Sequence, residues 1–301
     1  YMGVYEIRDR DEAVSIMVDK ANIAADTIKN NYDCCVAYYD EHLLEISIEQ
    51  RRLLGEFEPA LQNDEFVMYL QPQVKRDGAA KGAEALVRWV HPSRGILTPY
   101  AFIDILENAG LIYKLDLYIW EKAAQKLAEW KEKGYGSYHI SVNISTKDFY
   151  IIDIYETFTG LINKYGIAAS NLHLEITETT LMTDFEKNMN IIHKLQGVGF
   201  RVEIDDFGSG YSSLNMLKDI SADVLKIDMG FLRKSENEVK GQDILESIIT
   251  LAGKIGMDVI TEGVETKKQL DMLTMMGCHE FQGYYFSKPV PVSEFEEKYL
   301  V

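Results

Sequence analysis

Hydrophobic positions along the chain follow two rhythms. From Phe66 onward, short apolar runs recur at Phe66–Leu70, Ala83–Trp89, His139–Ile144, Leu172–Ile176, Phe200–Ile204, Val224–Ile227, Asp258–Thr261 and Phe281–Tyr285. Between them, apolar residues return every three or four positions over Leu117–Trp130, Asp184–Leu195, Asp243–Lys254 and Lys267–Met276, the spacing of helices with one buried face. Alternating strands and helices predict βα units and a mostly parallel sheet. Eight such strands in the remaining length predict closure into an α/β (β/α)₈ TIM-type barrel. Upstream, strands over Tyr1–Ile7 and Cys34–Tyr39 flank a helix over Asp11–Lys29, and residues 41–62 read as a charged amphipathic helix whose pattern Pro59 interrupts near its end. The expected organisation is therefore a short α+β remnant at 1–45, a connector helix at 46–65 and a barrel at 66–301. The first piece is too small to bury a core by itself.

Composition narrows the class. Of 301 residues, 47% are hydrophobic and 26% charged, proportions that exclude wholesale disorder and coiled coil. No apolar run approaches the roughly 18–20 residues of a membrane-spanning helix, and no signal-peptide pattern opens the chain. The chain begins at Tyr1 rather than Met, so it reads as a fragment, with a membrane anchor upstream left open. Its 31 basic and 48 acidic residues give a net charge of −17, which excludes a duplex nucleic acid partner bound through a basic footprint. Cys34, Cys35 and Cys278 offer no disulfide framework, and a reducing, cytoplasmic setting is expected.

The acidic residues are not scattered. In a barrel strand alternate side chains face the interior, and chemistry gathers at the strands' carboxyl ends. His173 and Glu175 share one face, Ser141 and Asn143 another, Glu203 and Asp205 a third, with Asp206 following at once. Lys226 and Asp228 share a face, Glu262 ends the seventh strand, and Glu84 shares a face with Leu86 and Arg88. Glu84, Asn143, Glu175, Asp205, Asp206, Asp228 and Glu262 thus converge on one mouth. So many like charges in a partly buried site require cations. All-oxygen donors suit Mg²⁺ or Mn²⁺ better than Zn²⁺, and adjacent aspartates suit a pair of ions.

The segment KGAEALVRW at 81–89 carries the Glu84-Ala85-Leu86 tripeptide, and the chain resembles the EAL family of cyclic di-GMP phosphodiesterases. The resemblance continues through YLQPQV (69–74), HPSRGILTP (91–99), SVNIS (141–145), LEITET (174–179), IDDFGSGYSSL (204–214), LKID (225–228), TEGVET (261–266) and GCHEFQGYYFSKP (277–289). It implies hydrolysis of cyclic di-GMP to linear pGpG with two cations, Mg²⁺ or Mn²⁺. One cation would be held by Glu84, Asn143, Glu175 and Asp205, the other by Asp205, Asp206 and Glu262. Lys226 would orient the attacking water, Asp228 and Gln282 would line the site, and Gln71 and Arg88 would contact guanine and phosphate. Glu178 would fix the loop after the fifth strand, with Glu265 in support. The resemblance also implies a homodimer formed near the fifth and sixth strands. An EAL domain that senses cyclic di-GMP without cleaving it is the alternative, but such domains typically lose one of these positions.

Glu203 departs from the family pattern, where a small or apolar residue is usual. Inside a barrel it needs a partner, for which Arg201 and His173 are available, or it acts on the cations from behind their ligands. Residues 1–45 resemble the last third of a GGDEF domain without its signature loop, which implies an upstream GGDEF or sensory domain in the full-length protein.

Overall fold

The computed structural model describes residues 1–29, 34–207, 220–230 and 238–300. The chain divides into two compact units: residues 1–63 with 100–109, and residues 64–99 with 110–301.

In the first unit, strands β1 (Met2–Val4) and β2 (Val36–Tyr38) pair in parallel, joined through helix α1 (Val14–Asp26). Helix α2 (Glu41–Gln62) follows, with the Asp40 carboxylate accepting from the Leu43 backbone N–H at 2.9 Å, which satisfies one of the helix's free N-terminal donors. Pro59 does not end this helix, which continues to Gln62. Helix α3 (Ile103–Ala109) completes the unit.

The second unit is the barrel. Its strands are β3 (Phe66–Lys75), β4 (Ala80–His91), β6 (His139–Ile144), β7 (Leu172–Thr177), β8 (Val202–Asp205), β9 (Val224–Asp228), β10 (Asp258–Glu262) and β11 (Glu280–Phe281), with β5 (Gly95–Leu97) paired outside β4 and β12 (Val290–Pro291) beside β3. Pairing of β3 with β4 at one end and β11 at the other closes the ring. Every barrel pair is parallel except the two that β3 makes. The uniform βα rhythm fails there for a simple reason. Only Arg76–Ala79 separate β3 from β4, too few for a crossover but enough for a hairpin, and Gly78 (φ 85°) turns the chain while Asp77 accepts from the Ala79 N–H.

Helices α4 (Ile112–Glu132), α5 (Asp148–Ile151), α6 (Ile154–Tyr165), α7 (Glu178–Thr183), α8 (Phe185–Val198), α9 (Glu238–Lys254), α10 (Lys267–Met275) and α11 (Val292–Tyr299) complete this unit. On α4, Ile112, Leu115, Ile119, Trp120, Ala123, Leu127 and Trp130 are buried, a stripe at helical spacing. Facing the helices, Ile140, Val142, Leu172, Leu174, Ile176, Val202, Ile204, Leu225, Ile227 and Ile260 are all buried. Each such side chain contributes on the order of 1.5–3 kcal/mol of hydrophobic stabilisation. With this set turned outward, strand alternation turns the polar set into the barrel.

Candidate functional site

The polar set meets at the carboxyl ends of the strands around one ammonium group. Lys226 on β9 is fully buried, with Nζ 2.7 Å from Glu262 Oε1 on β10 and 2.9 Å from Glu175 Oε2 on β7. It lies 3.4 Å from Asp205 Oδ1 on β8 and 3.5 Å from Glu84 Oε2 on β4. Four acids from four strands therefore share one cation. Around Glu84, Asn143 donates to Oε1 at 3.2 Å and Gln282 to Oε2 at 2.5 Å. The antiparallel β3 places Gln71 opposite Glu84, and Gln282 Nε2 also lies 3.4 Å from Gln71 Oε1.

Gln282 reaches this position because the next residue is glycine. Gly283 (φ 156°) passes so close to Val264 that a Cβ would lie 2.3 Å from its backbone N and O. Asp206 holds a left-handed backbone (φ 55°), a strained conformation for a residue other than glycine.

The electrostatics are unbalanced. Burial, together with Glu84, pushes the Glu175 carboxyl well above the usual carboxylate range. Burial does the same to Glu262, with Lys226 opposing and Asp205 reinforcing. Partial burial and the neighbouring Asp205 and Asp228 raise Asp206. For Lys226, burial works against the charged form, but the summed attraction of Asp205, Glu175, Glu262 and Glu84 wins and raises it well above an ordinary lysine. Both oxygens of Glu175, Oδ1 of Asp205 and Oε1 of Glu262 are buried without a well-aligned hydrogen bond. The donors are all oxygen and carry more negative charge than one ammonium offsets, so they fit hard divalent cations.

The other expected residues lie around this cluster. Arg88 is half-buried, its guanidinium 5.5 Å from the Tyr69 ring centre. Asp228, in register with Glu262, is exposed and accepts from the Gly230 N–H. Glu178 is buried at the start of α7, and Glu265 is exposed ahead of α10. Most of the loop after β8, including Gly208, Gly210 and Tyr211, lies outside the described residues.

A second polar cluster occupies the amino-terminal end of the barrel. Glu203 pairs with His173, whose Nδ1 lies 2.5 Å from Oε1, while Arg201 turns to Asp258 at 2.6 Å. Since a carboxylate only accepts, Nδ1 carries the proton. His139 stacks on His173, centroids 3.8 Å apart and planes 3° off parallel, and its Nε2 meets Gln73 Oε1 at 2.7 Å. Gly82 makes room for that ring, since a Cβ there would lie 2.5 Å from it. Burial works against the ionised form of Glu203, yet the His173 hydrogen bond brings it down to about 2. Burial and then His173 hold His139 well below an ordinary histidine. Nitrogen and oxygen atoms of His139, His173 and Glu203 lie within 4.8 Å of one another, a spacing that suggests a metal. The stacked rings argue against it: an imidazole binds a metal in its own plane, and two parallel planes share no point. Alternation puts His139 on the inward face with Ser141 and Asn143 but assigns it no role, and no sequence signal singles out Gln73.

The family model described as the EAL domain matches residues 55–289. The chain is 32% identical to the bifunctional diguanylate cyclase/cyclic di-GMP phosphodiesterase MucR of Pseudomonas aeruginosa over 272 residues, 90% of this chain and 39% of the relative. It is 33% identical to the cyclic di-GMP phosphodiesterase PdeR of Escherichia coli over 240 residues, 80% of this chain and 36% of the relative. This chain thus spans about two fifths or less of these curated relatives. Among solved structures, the c-di-GMP complex of PaMucR phosphodiesterase superimposes with a TM-score of 0.77 at 33% identity, over 81% of this chain and 99% of that one. With the barrel, its acidic mouth and a match across most of its length, the chain belongs to the EAL domain family.

Proposed function

We propose that this domain hydrolyses cyclic di-GMP to linear pGpG. The observation that carries the reading is the ring of Glu84, Glu175, Asp205 and Glu262 around Lys226, with buried carboxylate oxygens left without aligned donors. The similarity to cyclic di-GMP phosphodiesterases supplies the substrate class. Glu84, Asn143, Glu175, Asp205, Asp206 and Glu262 would hold two Mg²⁺ or Mn²⁺ ions, which when bound neutralise phosphoryl oxygens and lower the pKa of water.

The chain's own groups define the rest. Lys226, kept protonated by its carboxylates, cannot accept a proton; it orients the attacking water by donating to its oxygen. As that oxygen bonds to phosphorus, the water's proton passes to a carboxylate of the mouth, the bond to one ribose oxygen breaks, and the departing oxygen takes up a proton from solvent. Gln282 and Asn143 fix Glu84 from both sides, so its carboxylate cannot turn away. Arg88 offers an exposed cationic edge for the second phosphodiester or a guanine, alongside Gln71, and Asp228 lines the rim. Glu178 and Glu265 are proposed to support the loops beside the mouth.

Residues 1–45 fit the tail of a preceding GGDEF-like or sensory domain. A two-stranded sheet is marginal alone, and Tyr1, Met2, Val14, Val18, Val36 and Tyr38 are exposed within this unit. We further propose a homodimer, to be checked by light scattering on the purified chain. Among the described residues no helix is long and apolar enough to cross a membrane.

The deciding experiment is chromatography of cyclic di-GMP incubated with the protein and either cation. Release of pGpG, lost on Glu84→Ala, is expected. Binding of cyclic di-GMP without pGpG under either metal would overturn hydrolysis in favour of a sensor.

A further inference from the structure

Glu203 is fully buried on the inward face of β8, two residues below Asp205, and pairs in register with Glu175 on β7. It therefore stands beside Glu175 and beneath Asp205, two of the carboxylates that ring Lys226. Its Oε1 accepts from His173 at 2.5 Å and lies 3.3 Å from Ser141 Oγ, whereas Oε2 is buried with no hydrogen bond. A carboxylate that served only to satisfy its neighbours would use both oxygens. Burying one bare is costly, and no partner among the described residues offsets it.

We propose that Glu203 is a positioning residue for the cation site, a fixed negative charge beneath the mouth that strengthens divalent-cation binding through Glu175 and Asp205 without touching the ions. This rests on the two-cation reading above.

The physical basis is distance and dielectric. Same-face neighbours on a strand, as Glu203 and Asp205 are, lie roughly 7 Å apart, and in-register neighbours on adjacent strands, as Glu203 and Glu175 are, about 5 Å apart; both spacings fall inside the screening length of salt, and the buried interior screens little. The charge also acts on Lys226. Its ammonium then answers to an anion below as well as to the four carboxylates around it, and less of its charge is spent on the ligand oxygens. His173 holds the carboxylate at one oxygen and keeps it from rotating.

The test measures Mn²⁺ binding by calorimetry for the parent protein, Glu203→Gln and Glu203→Asp, with melting of the metal-free proteins alongside. Glu203→Gln keeps the shape and removes the charge; it should weaken Mn²⁺ binding about ten-fold. Glu203→Asp keeps the charge and should recover most of that loss, which a purely structural role would not produce. If Glu203→Gln fails to fold, the double variant Glu203→Met with His173→Leu removes the charge and leaves no orphaned partner, and the same weakening is expected. Unchanged Mn²⁺ affinity in a folded Glu203→Gln protein would overturn the proposal and leave the two-cation reading standing. Equal weakening in Glu203→Gln and Glu203→Asp would also overturn it, since shape would then matter rather than charge. A parent protein that binds no Mn²⁺ would instead remove the two-cation reading itself, and this proposal with it.

Discussion

At the amino-terminal end of the barrel, Gln73, Ser141, His139, His173 and Glu203 bond and stack largely with one another. At the carboxyl-terminal end, four carboxylates face one lysine, and several of their oxygens have no aligned donor. Both layers are buried, both come from the same strands, and both follow the same alternation. They differ in charge balance. A lone buried anion held by a hydrogen-bond donor of its own can be a structural element. A buried excess of several anions costs stability unless something positive arrives, so the end that is left unbalanced is the end built for a ligand. The largest effect below tests the end with the single anion, because Glu203 there depends on one short hydrogen bond from His173.

His173→Leu leaves Glu203 buried and without its short hydrogen bond, which should cost about 3–5 kcal/mol. Denaturant titration should show this loss, while turnover at saturating metal persists in the protein that remains folded. Loss of turnover with unchanged stability would mean that the lower layer is part of the chemistry rather than its support.

Lys226→Met acts on the other end. It should lower turnover by about 10²–10³-fold, some 2.7–4 kcal/mol of transition-state stabilisation, read as pGpG formed under Mn²⁺. Near-parental turnover would remove the lysine from the mechanism and leave the carboxylates to act alone. The unbalanced layer also predicts a response to metal: Mn²⁺ at a hundred times its dissociation constant should stabilise the protein by about 2.7 kcal/mol, and EDTA should reverse it. Glu84→Ala should abolish most of that gain.

The two layers were not equally legible in the sequence. The mouth was, because its acids lie on the inward alternation of their strands, Asp205 and Glu262 at the last residue, and a carboxylate there is conspicuous against apolar neighbours. Eight strands were placed within a few residues by the same alternation. The direction of β3 was missed, since a period-two pattern carries no direction; only the four-residue link at Arg76–Ala79 does. The lower layer was half read. Glu203 and His173 were paired as one option, but Gln73 and His139 lie too far apart in the chain for any spacing rule to join them. Asp228 shares the inward face of Lys226 by alternation, yet it is exposed and accepts from the Gly230 N–H, because it sits where the strand gives way to a turn.

Acid provides a smaller test of the balanced end. His139 is buried and neutral, with its folded pKa well below the value of 6.5 it has in the unfolded chain. Below that value the unfolded chain takes up a proton that the folded protein refuses, so His139 contributes stability that is lost as pH falls through 6.5 and toward its folded value. Glu203, lowered from 4.5 to about 2, has the same sign in a lower window: its stabilisation is present above 4.5 and disappears as pH falls toward 2. Glu175 and Glu262, raised by burial, run the other way, losing stability as pH rises, so parent and variant must be compared as a difference. The unfolding midpoint of the parent should fall more steeply than that of His139→Gln between about pH 7 and about pH 5. Parallel curves would mean that His139 is protonated in the folded protein.

The smallest effect lies just outside the lower layer. Arg201 and Asp258 approach to 2.6 Å, closer than most ion pairs, but their side chains remain 38% and 59% exposed. Water can solvate either partner when the other is removed, so Asp258→Asn should change stability by less than about 0.5 kcal/mol, with no effect on Mn²⁺ affinity. The comparison with His173→Leu is then a comparison of burial at nearly equal distance, 2.6 against 2.5 Å. A cost for Asp258→Asn near that of His173→Leu would show that Arg201 belongs to the layer beneath the mouth and that Glu203 does not carry its charge balance alone. A small cost keeps the boundary where the exposures put it: the hydrogen bond counts because the carboxylate beneath the mouth has nowhere else to turn.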